Sequence, residues 1–130
     1  MKARGFAIVT ALFILVVLAL LGSYVVNIIT GMHRGQTLDL LGVQAQQAAR
    51  AGVEWGLYKQ QRDHSCTGST SLSLAGTTLA DFAVTVQCAD VDGVAHIVAT
   101  ACNQPHGGAC PNETSHGDFY VERRLEVYVR

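Results

Sequence analysis

Residues 6–29 read FAIVTALFILVVLALLGSYVVNII, and no Asp, Glu, Lys or Arg occurs between Gly5 and Met32. As an α-helix rising ~1.5 Å per residue, the run reaches about 36 Å, enough to cross a hydrocarbon layer about 30 Å thick. Lys2 and Arg4 precede it, so the positive-inside tendency predicts a cytoplasmic N-terminus, with everything after Thr30 across the membrane. A conventional secretory signal has an apolar region of only about 7–15 residues, closed by a small-x-small cleavage site. This run is longer, and no A-x-A pattern ends it. A single-pass anchor that is kept, rather than a signal that is discarded, is therefore expected.

The helical pattern continues past the apolar run. Leu38, Leu41, Ala45, Ala48, Gly52 and Trp55 recur at spacings of three and four, a stripe along one helical face. Asp39, Gln46, Gln47, Arg50 and Glu54 lie off it. No proline occurs before Pro105, so one continuous helix to about Arg62 is predicted, ending at Asp63, His64 and Ser65. The stripe narrows from leucine to alanine and glycine, which lets a helix lie close to another surface, here a sheet, with Trp55 filling the far end. Gly31 and Gly35 spell GxxxG, a helix-contact spacing that serves equally well as a flexible point near the membrane exit.

Beyond residue 63 the period changes from helix to strand. Asp81 to Cys88 alternates, with Phe82, Val84 and Val86 on one face. Asp92-Gly93 signals a hairpin turn into Val94–Cys102, where Ile97, Ala99 and Ala101 share a face. Val121, Leu125, Val127 and Val129 alternate with Glu122, Arg124, Glu126 and Tyr128. Arg123 breaks that apolar face, so the strand's beginning is expected at an edge or in solvent. Ser71 to Leu79 is read as a short irregular strand. The prediction is an α+β chain, with a long N-terminal helix whose apolar half protrudes and whose other half packs on a small antiparallel sheet.

The chain has 130 residues, 15% of them charged, with a net charge of −1 and no basic stripe, which argues against a nucleic-acid role. About 100 residues remain for a small head with limited core, and its four cysteines point to an oxidising compartment. Asn103 to Asp118 is a long loop without apolar periodicity, of the kind held down by a crosslink. Cys102 and Cys110 flank NQPHGGA, and Cys66 can reach Cys88 to staple helix to sheet. Four cysteines allow three pairings; Cys66–Cys88 with Cys102–Cys110 is preferred.

Catalytic signatures are missing: there is no G-x-S-x-G, H-E-x-x-H or Walker sequence, so an enzyme is not expected and no cofactor is assigned. His106 and His116 beside Cys102 and Cys110 match no usual zinc spacing. Asp90 and Asp92 make a turn more simply than a calcium loop. His33, His64 and His96 are scattered and read as surface or interface residues. Asn112-Glu-Thr114 is formally a glycosylation sequon.

The short basic leader, Gly5-Phe6 and the unbroken apolar run together resemble the prepilin signal of type IV pilins and type II secretion pseudopilins. That resemblance implies leader residues 1–5, removed by a prepilin peptidase between Gly5 and Phe6, and N-methylation of Phe6. It further implies a transmembrane and filament-core half over 6–30, an amphipathic half over 31–62 and a periplasmic head over 63–130. Most pilins carry Glu at the fifth mature position, where it is thought to neutralise the terminal amine of the neighbouring subunit; Thr10 stands there here. An unpaired carboxylate in hydrocarbon costs several kcal/mol, so its absence suits a tip or initiator subunit with no earlier neighbour, and suits a generic anchor equally.

More narrowly, GFAIVTALFILVVLALLG, AARAGVEWGLY, FAVTVQC, TACNQPHGGACP and YVERRLEV resemble the MshP-type minor pilins of the mannose-sensitive haemagglutinin (MSHA) type IV pilus system. The family implies a role in pilus biogenesis and residence in the bacterial inner membrane before assembly. The partners it implies are other minor and major pilins, the inner-membrane assembly platform and the prepilin peptidase. A membrane-anchored periplasmic scaffold or binding protein that never polymerises is the alternative.

Overall fold

The computed structural model describes residues 3–66 and 68–130, with side chains from Phe6 onward. Met1 and Lys2 of the expected leader lie outside the described residues, as do the side chains of residues 3–5. The elements are one helix, α1 (Ala3–Asp63), followed by β1 (Gly68–Ser73), β2 (Ala83–Val91), β3 (Val94–Cys102) and β4 (Glu122–Val129). The chain divides into two compact units, 1–37 and 38–130.

In the first unit the helix is apolar on every side, and all of Phe6–Ile29 is exposed apart from the half-buried Val17. A helix hydrophobic all round has no face for water and belongs in an apolar surrounding. Among the described residues it is the one helix long and apolar enough to cross a membrane.

In the second unit the four strands form an antiparallel meander in the order β1-β2-β3-β4, and the C-terminal part of α1 covers one face. The architecture is α+β and pilin-like, as predicted. β3 has the expected bounds, and Phe82, Val84, Val86, Ile97, Ala99 and Ala101 are all buried beneath the helix. Registers Val84↔Ala101 and Val86↔Ala99 set these side chains opposite one another. The β2–β3 turn has positive φ at both Asp92 (55°) and Gly93 (77°), the paired left-handed conformation whose twist suits a two-residue hairpin. Asp90 Oδ1 accepts the Gly93 N–H at 3.0 Å and closes it.

Two expectations need correction. The strand predicted over Ser71–Leu79 runs instead over Gly68–Ser73, with turns following it. GSTSLS carries a single large apolar side chain, Leu72, so its alternation is invisible to a hydrophobicity reading. The buried helix stripe is also displaced. Ala45, Ala48 and Gly52 are buried as expected, but Leu38 is 37% exposed and Trp55 is half-buried. Gly42, Ala49 and Gly56 lie inside instead. Glycine carries no hydropathy signal, yet here it defines the contact: a Cβ on Gly56 would stand 2.7 Å from Ile97 Cγ2. Trp55 packs at the margin of the core, with the Lys59 ammonium 5.9 Å from its ring centroid.

Cys66 is bonded to Cys88 and Cys102 to Cys110, the preferred pairing. The first bond joins the segment after α1 to β2. The second draws the 103–121 loop over the outer face of the sheet, where Ala83, Cys102, Cys110 and Tyr120 form a second small core.

Candidate functional site

The chemistry of the apolar segment begins with its few polar side chains. Thr10 Oγ1 donates to the Phe6 carbonyl at 2.9 Å, Ser23 Oγ to Ala19 at 3.0 Å, and Thr30 Oγ1 to Val26. Each of these three hydroxyls is satisfied four residues back along its own helix, which suits an apolar surrounding. Thr10 is thus self-contained at the place where the resembled family carries a carboxylate. Phe6 itself is 78% exposed, and a Cβ on Gly31 or Gly35 would meet nothing within 4 Å.

On the head, the loop after β3 is held by Asn112. Its Nδ2 donates to Gln104 O (2.8 Å) and Ser115 O (2.7 Å), while Oδ1 accepts from the N–H groups of Thr114 and Ser115. Buried and doubly donating, this amide is a structural hub rather than a glycan acceptor, whatever the sequon spells. Asn103 clamps the loop's other end, giving Nδ2 to Phe119 O and accepting the Val121 N–H. The Tyr120 hydroxyl accepts from the Asn112 N–H (3.0 Å) and donates to Glu122 Oε2 (2.7 Å). Burial raises the pKa of this phenol, the Asn112 bond opposes the rise, and the neighbouring Glu122 carboxylate adds to it.

Cys102 and Cys110 are consumed in their disulfide, and among the described residues no group of three His, Cys, Asp or Glu side chains could hold a metal. The histidines, read from the sequence as surface or interface residues, have separate surroundings. His64 takes a left-handed conformation (φ 48°) just past the helix end, and His116 stacks on Tyr120 at 4.4 Å. His96 stacks on Tyr128 at 4.3 Å with its Nε2 3.2 Å from Glu126 Oε2.

One arrangement escaped the sequence reading. Arg123, which interrupts the apolar face of β4, projects its guanidinium over Gly42, where a Cβ would stand 2.9 Å from Nη2. With Asp39, Gln46 and Arg50 it lines a groove of about 540 Å³. Arg50 also borders an adjoining groove of about 270 Å³, walled by Val53, Leu125 and Val127 and lined as well by Glu54 and Glu126. The misplaced charge at position 123 was the signal; its partner 73 positions upstream could be supplied only by the fold. No protein-family profile, curated protein or solved structure matches the chain.

Proposed function

We propose that the chain is a minor pilin of the MshP type, acting in the biogenesis of an MSHA-like type IV pilus. The observation that carries this reading is the pairing of an uncharged, all-round apolar helix with a disulfide-held α+β head on the same continuous α1. Such a helix suits two apolar environments in turn, the bilayer and a bundle of like helices, while the head stays in an oxidising periplasm. On this reading the N-terminus is cytoplasmic, the peptidase cuts after Gly5, and Phe6 becomes the methylated first residue. Sibling pilins and the inner-membrane platform are the partners. The self-satisfied hydroxyl of Thr10 favours a tip or initiator position, because it needs no neighbouring amine.

The same hydroxyl suits the second reading, a membrane-anchored periplasmic scaffold that is never polymerised. Mass spectrometry of the N-terminal peptide from the membrane-extracted protein separates the two. An N-methylated Phe6 is expected. An intact Met1 on the mature chain would replace the pilin reading with the scaffold.

A further inference from the structure

We propose that the free edge of β4 is a docking site for an extended segment of a partner protein, one that carries an acidic side chain and, two or four residues along, an aliphatic one. β4 closes the sheet on one side: it pairs with β3, and among the described residues no strand lies beyond it. Its register with β3 is unbroken from Cys102↔Glu122 to Ala95↔Val129, and it contains no proline, so its outward backbone groups are arrayed for another strand.

The two grooves beside this edge specify what such a strand carries. The smaller one is walled by Leu125 and Val127 from the inner face of β4 and touches Glu126 between them, so it opens along the strand's own rim. Its remaining wall includes Val53, and it suits a branched aliphatic side chain. The larger one holds two guanidiniums, Arg50 and Arg123, against the single carboxylate of Asp39. Among the described residues neither arginine is ion-paired; Arg123 donates only to the Glu122 carbonyl. Two forked donors outnumber the one carboxylate of this groove and select another, while Glu54 and Glu126 in the smaller groove keep an acidic side chain out of it. Arg123, Leu125 and Val127 alternate along one face of β4, so side chains of an added strand meet the two grooves at alternate positions too. The opposite edge, β1, offers Ser and Thr side chains and no arginine. The inference concerns the head alone and stands whether or not the chain is a pilus subunit.

The test uses the full chain in detergent micelles with two acetylated, amidated peptides, T-E-T-V-T-V-T and its counterpart T-Q-T-V-T-V-T. Amide hydrogen exchange is followed across 122–129. The glutamate peptide at millimolar concentration is expected to slow exchange in β4 and not in β1. Arg50→Gln combined with Arg123→Gln is expected to weaken it about ten-fold while leaving the glutamine peptide unchanged. Both arginines are exposed, and a thermal melt confirms that each variant is folded. Arg50→Gln alone, on the helix surface, serves should the double variant be loosened. Unchanged β4 exchange, equal binding of the two peptides, or protection of β1 in place of β4 overturns the proposal. So does concentration-dependent self-association that protects β4 without peptide, since the occupant would then be a second copy.

Discussion

Gly52 lies against Val84 so closely that a Cβ on it would stand 2.5 Å from Val84 Cγ1 and 3.0 Å from Ala99 Cβ. Both neighbours belong to the buried face of the sheet and neither has a flexible end to swing away. Gly52→Ala is therefore expected to force helix and sheet apart and destabilise the head by about 1–3 kcal/mol, despite alanine's better helix propensity. Gly35→Ala, where a Cβ meets nothing within 4 Å, should leave stability unchanged or slightly raised. Urea unfolding of both variants in the same detergent checks this, and equal effects would show that the close approach is not what requires glycine at position 52.

Asn112 supports a loop with no regular secondary structure. Replacing it with alanine removes donors to Gln104 O and Ser115 O and an acceptor for the Thr114 and Ser115 N–H groups, all in a partly buried setting. A cost of about 2–3 kcal/mol is expected, with faster amide exchange confined to 103–121. If exchange instead rises uniformly across the sheet, the loop and strands unfold as one unit.

The sheet was legible where apolar alternation is strong. FAVTVQC and VAHIVATAC each bury one face completely, and the Asp92-Gly93 turn fixes their register, so β3 falls where the letters put it. β2 (Ala83–Val91) starts two residues later and ends three residues later than the Asp81–Cys88 read from the alternation. β1 was misplaced because serine and threonine pair as well as valine does but leave no hydrophobic trace. The helix stripe was displaced because the contact also takes in Gly42 and Gly56, whose absent side chains count for nothing in a periodicity. The groove was beyond reach: Arg50 and Arg123 become neighbours only once β4 is laid beside the helix.

Tyr120 links the loop to β4 through a hydroxyl that is both acceptor and donor. Burial, followed by the Glu122 carboxylate, favours its protonated form, so its folded pKa lies above the ordinary 10.0. The folded chain then holds this proton more tightly than the unfolded one. The contribution to stability is whole below pH 10.0 and is lost as pH rises through the raised folded value. Stability measured by rapid alkaline unfolding should accordingly fall more steeply with pH for the wild type than for Tyr120→Phe. In an ultraviolet titration the variant should lack the latest-ionising phenol. A variant that retains it would assign the late titration to another tyrosine.

On the proposed pilin reading, Thr10 offers a direct test of position within a fibre. Its hydroxyl is satisfied by the Phe6 carbonyl, so Thr10→Val removes nothing that another subunit uses and should leave membrane extraction and processing unchanged. Thr10→Glu introduces a carboxylate into hydrocarbon at a cost of several kcal/mol unless a cation neutralises it. Within a shaft, the resembled family implies that the terminal amine of an earlier subunit does so, and the variant should be incorporated at least as well as the wild type. At a tip no earlier amine exists, and the variant should be depleted from sheared filaments relative to the membrane fraction. Quantifying the chain in both fractions, with Thr10→Val as the control, reads the difference. Depletion of the glutamate variant alone is the outcome expected here, and its enrichment would place the subunit inside the shaft.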